Sequence, residues 1–263
     1  MGCKKIIFTS LLALSICCCT LSCKVSVKSP GSLNLTQIFT DSLFNSKQKI
    51  HLLSFKDKSD YSIDIGYSKS SLLKTSDFAK KRKAIAAING GFFDIENKSS
   101  VTYLEKNDKI ISETKKLNKL LNGIIILSKK EEIKIDTFKN DLFYFKSKAE
   151  RFAIATGPLL IKDSTIQKLP NKNFIITRHP RTCLCKDKDR VVFVVIDGRN
   201  EDANGMTLIE VQNYLQSLGC IDAINLDGGG SSTMWTINKG VINTPTDENG
   251  EREVSNALLL IQK

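Results

Sequence analysis

Histidine is scarce in this chain: 263 residues contain two, His51 and His179. Cysteine looks plentiful at eight, but Cys3, Cys17, Cys18, Cys19 and Cys23 all fall within the first 23 residues. Only Cys183, Cys185 and Cys220 remain for the body, too few for a disulfide framework in a domain of this length. A zinc site needs several of these residues at suitable spacing, and the spacing is missing, so no metal and no cofactor is expected. No "GK[ST]" follows the glycine run at 228–230, which excludes a Walker loop. A serine hydrolase built on Ser231 would lack both a "GxSxG" elbow and a histidine partner. Internal repeats and low-complexity blocks are absent too.

What is present begins with a leader. "MGCKKIIFTSLLALSICCCTLSCK" places Lys4 and Lys5 before an apolar run too short for a spanning helix, the pattern of a secretory signal. Its end, "TLSC", resembles a relaxed bacterial lipobox, which implies lipidation of Cys23 as the first mature residue; Cys19 is the alternative. The expected organisation is a signal peptide over 1–22, a tether over 23–40 and one domain over 41–263, lipid-anchored in a bacterial envelope, periplasmic or surface-exposed. In an oxidising envelope Cys220 can pair with Cys183 or Cys185. The formal charge of +11 falls to +9 once Lys4 and Lys5 leave with the signal. The "KKRK" run at 80–83 follows "SDFA" on an amphipathic helix and lacks interleaved aromatics, so it reads as a solvated face. A membrane surface or anionic substrate suits this charge better than nucleic acid.

Short β-branched runs bounded by turn residues dominate the body: 49–55, 61–67, 84–89, 122–128, 151–156, 173–178, 190–197, 221–227 and 254–262. One helix is well marked. Thr207 and Glu210 form a capping box, Leu208, Val211, Leu215 and Leu218 an apolar stripe, and Gly219 a C-terminal stop. It joins "VVFVVID" to "IDAINLD", a β–α–β unit of two apolar strands expected to lie parallel and side by side. The fold class expected is α+β: a single domain with a mixed, twisted sheet and a few helices. Residues 95–150, lysine-rich and poorly patterned, read as a hairpin insertion.

Three stretches carry chemistry. "IDGR" (196–199) and "NLDGGGSS" (225–232) end the two buried strands, which would bring Asp197, Arg199, Asn225 and Asp227 to one crevice. Three consecutive glycines need a reason, since glycine weakens regular structure. Their exposed N–H groups can cradle an anion. "NGGFFD" (89–94) ends another strand in Asn89, Gly90 and Gly91, and "TRHPRTCLC" (177–185) sets Arg178, His179 and Arg181 around Pro180 as a phosphate or carboxylate clamp.

Together with "ATGPLLIKD" (155–163), "VVIDGR" (194–199), the run from Gly205 to Trp235 and "VSNALLL" (254–260), these stretches resemble the phosphodiester glycosidase domain family over about residues 83–262. That family includes bacterial envelope proteins linked to exopolysaccharide. The chain departs from it at "RTCLC", where members carry small apolar residues and glycine. The resemblance implies hydrolysis of a sugar-1-phosphodiester, or phosphate-containing glycan, at the C1–O bond, releasing sugar and a phosphomonoester. A phosphate leaving group needs positive charge and N–H donors more than a general acid, and an oxocarbenium-like sugar needs a carboxylate. On this reading Asp227 is the first candidate for nucleophile or base, Asp197 the second, and Arg181 the catalytic cation. Arg199, His179 and the backbone of Gly228, Gly229 and Gly230 would hold substrate. Asn89, Gly90, Gly91, Asn225 and Asn256 would contact sugar, and Ser231 and Ser232 phosphate or sugar. Glu210 belongs to the capping box. Competing readings are a non-catalytic glycan-binding lipoprotein and a metal-dependent phosphodiesterase cutting P–O.

Overall fold

In the run Arg190–Ile196 every residue after the first is buried, because both of its faces are covered. The computed structural model describes residues 23–28 (backbone only), 33–57, 59–115 and 119–263, so the signal peptide expected over 1–22 lies outside the described residues. The largest sheet contains β1 (Cys23–Lys28), β2 (Asn34–Thr40), β3 (Gln48–Lys56), β4 (Leu159–Lys162), β5 (Thr165–Ile166), β6 (Arg181–Lys186), β7 (Arg190–Ile196) and β8 (Asp222–Asn225). Their order is β1-β2-β3-β7-β6-β8-β4-β5. Val191, Phe193 and Val195 of β7 point inward, joined by Leu53, Phe55, Leu184 and Ile224. Val192, Val194 and Ile196 point outward into a second apolar layer.

The inner core is shared with two five-stranded sheets. One is ordered Lys109–Ser112, Leu104–Lys106, Glu150–Thr156, Gly123–Ser128, Ile133–Thr137; the other Gly240–Val241, Met234–Thr236, Ala86–Asn89, Asn256–Gln262, Tyr61–Tyr67. Among the described residues, four α-helices accompany them: α1 (Thr75–Lys81), α2 (Asp141–Ser147), α3 (Asn173–Ile176) and α4 (Leu208–Ser217). The chain is therefore α+β, mostly sheet with few helices. The expected capping box of α4 is present, with Thr207 Oγ1 accepting from the Glu210 N–H and Glu210 Oε2 from the Thr207 N–H. Leu208, Val211 and Leu215 bury this helix in the outer apolar layer, where it contacts β4. A disulfide joins Cys185 of β6 to Cys220, just past α4, while Cys183 is a buried free thiol.

Four expectations are corrected. β7 and β8, joined through α4, run in the same direction but are not neighbours: β6 lies between them, antiparallel to both. Residues 23–40 supply β1 and β2 instead of a tether, because Leu35 and Ile38 find apolar surface against the core. Residues 95–150 contribute two hairpins that add to Glu150–Thr156 rather than standing apart. The expected strand at 173–178 is instead the short helix α3, wound around a guanidinium: the carbonyls of Phe174 and Thr177 both accept from Arg181 Nη2.

Candidate active site

The intervening strand β6 sets the site. β7 and β8 both finish where β6 begins, so Asp197, Asp227 and Arg181 meet at one end of the sheet. From β8 the chain crosses to the strand Met234–Thr236 in a different sheet, and the glycine run is that crossing. There the Asp227 N–H donates to Gly90 O (3.0 Å) and the Gly229 N–H to Pro180 O (2.9 Å), followed by a 3-10 turn over Gly229–Ser231. A Cβ on Gly229, whose φ is +63°, would meet the Arg199 guanidinium at 3.2–3.5 Å. One on Gly230 would collide with the Arg252 guanidinium, and one on Gly228 would stand 2.9 Å from Pro180 O. The side chains are missing because two cations and a carbonyl press on this backbone.

Asp227 is partly buried. Its Oδ1 accepts one hydrogen bond, from the Gly228 N–H (3.1 Å). Burial pushes its carboxyl up to about 6, even though the nearby Ser231 hydroxyl, the Gly228 N–H and the Arg252 charge all pull the other way. The Ser231 and Ser232 hydroxyls are buried with no hydrogen-bond partner of good geometry in the protein, as are Asn225 Oδ1 and Arg181 Nη1. These atoms retain hydrogen-bonding capacity for a bound molecule.

His179 Nδ1 accepts from Arg199 Nη2 (2.8 Å) and Nε (3.2 Å). A guanidinium only donates, so the ring proton sits on Nε2 and that atom is a donor. Burial and the charges of Arg181 and Arg199 lower the His179 pKa, keeping the ring neutral. Arg199 is itself exposed and held at φ 59°, a left-handed conformation uncommon outside glycine.

Asp197, the second candidate carboxylate, is hydrogen-bonded through both oxygens. Its Oδ2 faces His51 Nε2 (3.0 Å), its Oδ1 accepts from Asn243 Nδ2 (3.0 Å), and both oxygens accept from the Thr244 N–H (3.0 and 3.2 Å). Burial alone would raise its pKa, but these bonds outweigh burial and hold it below the usual range. Asp197 pins the loop around 243–244 to the sheet. Arg181 is fully buried, with Nε on Met206 O (2.8 Å) and Nη2 on the α3 region; burial lowers it to about 10, so it remains a cation.

The three candidate asparagines make hydrogen bonds within the protein. Asn89 Nδ2 donates to Asp227 O (2.7 Å), and its Oδ1 accepts from Thr182 Oγ1 and the Thr233 N–H, tying two sheets together. Asn256 Oδ1 accepts from the Gly91 N–H (2.8 Å) and lies where a Gly90 Cβ would be. Asn225 Nδ2 donates to Gly157 O and Leu226 O, leaving only its Oδ1 free to turn to a ligand. Three contributors were not foreseen. Arg252, in "GEREVSN" (250–256), carried no local signal, and its place against Gly230 is a long-range contact. His51 and Asn243 act through Asp197 and were equally invisible.

A family model described as phosphodiester glycosidase matches residues 82–261. The fold is similar to the zebrafish N-acetylglucosamine-1-phosphodiester alpha-N-acetylglucosaminidase catalytic domain auto-inhibited by its pro-peptide. That match has a TM-score of 0.71 and 20% identity, covering 93% of this chain and 88% of the other. It is also similar to a hypothetical protein from Synechocystis, at TM-score 0.68 and 13% identity over 91% of this chain and 64% of that one. In sequence, 89 residues are 35% identical to the SPbeta prophage-derived uncharacterized protein YomE of Bacillus subtilis strain 168. The match spans 33% of this chain and only 14% of that relative's length.

Proposed function

Because the chain belongs to the phosphodiester glycosidase family, we propose that it hydrolyses a sugar-1-phosphodiester of an envelope or extracellular glycan at the C1–O bond. The observation that carries this reading is the pairing of charges at the glycine crossing. A carboxylate with a single hydrogen bond, Asp227, lies beside a backbone flanked by two guanidiniums, Arg199 and Arg252. Negative charge grows on the phosphate oxygen as C1–O breaks, and the guanidiniums, the His179 Nε2–H and the buried charge of Arg181 stabilise it. Positive charge grows on the sugar, and Asp227 answers it, as nucleophile or as base to water. A pKa near 6 suits a base working at neutral pH. Asp197, with every oxygen engaged, holds the scaffold.

The test is hydrolysis of α-N-acetylglucosamine-1-phosphodiester and related sugar phosphodiesters in oxygen-18 water containing EDTA. The decisive product is the phosphomonoester, since a free reducing sugar exchanges its anomeric oxygen with water. An unlabelled phosphomonoester shows C1–O cleavage. Label in phosphate shows P–O cleavage and removes Asp227 from its role. No turnover across the panel favours the glycan-binding reading.

A further inference from the structure

The register of the largest sheet relates the expected lipid anchor to the candidate site. Cys23 opens β1 and pairs with Phe39 of β2, and Phe39 pairs with Lys49 of β3. The Asp197 N–H donates to Lys49 O at 2.9 Å. Cys23 and Asp197 therefore stand at one level across the sheet, three strand spacings or roughly 14 Å apart. No spacer separates Cys23 from the sheet, since the strand begins at that residue. Acyl chains on Cys23 would hold this end of the sheet at the bilayer. The far end, at the turn 187–189, is roughly 20 Å away along β7.

The same end carries apolar surface. α3 leads into the start of β6 and α4 begins after the loop that follows β7, so both meet the sheet at the site level. These helices touch, and Ile176 of α3 and Ile209 in the first turn of α4 are each 50% exposed. Lys172, just before α3, is exposed beside them. Isoleucine flanked by lysine suits the boundary between acyl chains and headgroups.

We propose that the candidate site faces the bilayer that anchors the protein, and that its substrate is a sugar-1-phosphodiester whose aglycone is a lipid in that bilayer. This rests on the C1–O hydrolysis proposed above and on acylation of Cys23. Water adds its oxygen to sugar C1, the C1–O bond breaks with its electrons passing to the phosphate, and the proton follows. The sugar is released, and a lipid phosphomonoester stays in the membrane.

The test uses the mature full chain, reconstituted in vesicles of phosphatidylcholine and phosphatidylglycerol. Mass spectrometry must find Cys23 acylated; an unmodified Cys23 overturns the premise. A fluorophore is placed at Ile209→Cys in one sample and at Lys188→Cys in another, Cys183 being buried and Cys185 and Cys220 bonded. Brominated lipid should quench the label at 209 several-fold more than that at 188. Equal or reversed quenching overturns the orientation, whether or not any substrate is cleaved. Rates are then compared for a vesicle-borne sugar-1-phospholipid and the same headgroup with a methyl aglycone. A preference of roughly tenfold or more for the vesicle-borne compound is expected on desolvation and effective-concentration grounds. Equal efficiency overturns the lipid substrate alone. Cleavage of neither, with quenching at 209 intact, overturns the hydrolase reading and leaves the orientation standing.

Discussion

Asp197 and Asp227 follow the ends of two strands that run in the same direction on either side of β6. By sequence and topology they are near equivalents, each followed by glycine. Their surroundings separate them. Asp197 accepts from Asn243 and twice from Thr244, with His51 opposite, and its pKa falls; Asp227 accepts once, from its neighbour's N–H, and its pKa rises to about 6. Two carboxylates at one end of a sheet need not be alike: the fully bonded one suits a structural pin, and the under-bonded one keeps capacity for chemistry.

Exchanging the acids for amides should break the comparison most sharply. Asp227→Asn is expected to lose roughly 10²–10⁴-fold in kcat/KM, the range of a general base. The same change should stabilise the fold at pH 7.5 by about 1–2 kcal/mol, read as a higher Tm. The folded state binds the Asp227 proton more tightly than the unfolded chain, so stability falls as pH rises from about 4 to about 6, and the amide removes that loss. Asp197→Asn should behave in the opposite way. Its carboxylate contributes stability above pH of about 4 that is lost as pH falls further, so the amide should cost about 2–4 kcal/mol at neutral pH. Denaturant unfolding measures both, and a larger stability loss at 227 than at 197 would reverse the assignment.

Smaller effects sharpen the same contrast. Gly229→Ala puts a side chain at φ +63° and 3.2 Å from Arg199, at a strain of about 1–2 kcal/mol. Turnover should drop roughly tenfold or more as Arg199 shifts, while circular dichroism stays native; unchanged turnover would show that Arg199 does not depend on this contact. Arg252→Met should lower kcat/KM by taking away a guanidinium that stabilises the phosphate, and the shift it causes in the pH profile is the smallest effect expected. The substitution removes a cation that lowers the Asp227 pKa, so the acidic limb of the pH–rate profile should move upward by less than about one unit.

What the sequence made legible follows distance along the chain. The run 190–197 showed a covered strand because its valines line both faces, and the Thr207–Glu210 box showed α4 because its partners are three residues apart. The position of β6 between β7 and β8 was hidden, since nothing in "RTCLC" states which strands it pairs with. The site was legible as a set of residues and not as roles. The resemblance implies sugar contacts for Asn89 and Asn256, and what it does not state is that each also satisfies backbone groups far away in the chain. The glycine run showed that something comes close, and only the tertiary structure identifies Arg199, Arg252 and Pro180 as what does.

The pH dependence of kcat/KM on a cleaved sugar-1-phosphodiester, compared between the wild type, Asp197→Asn and Arg252→Met, tests the central claim most directly. The account predicts an acidic limb near pH 6 that stays in place in Asp197→Asn and moves upward in Arg252→Met. A limb that vanishes with Asp197, or that ignores Arg252, would contradict it.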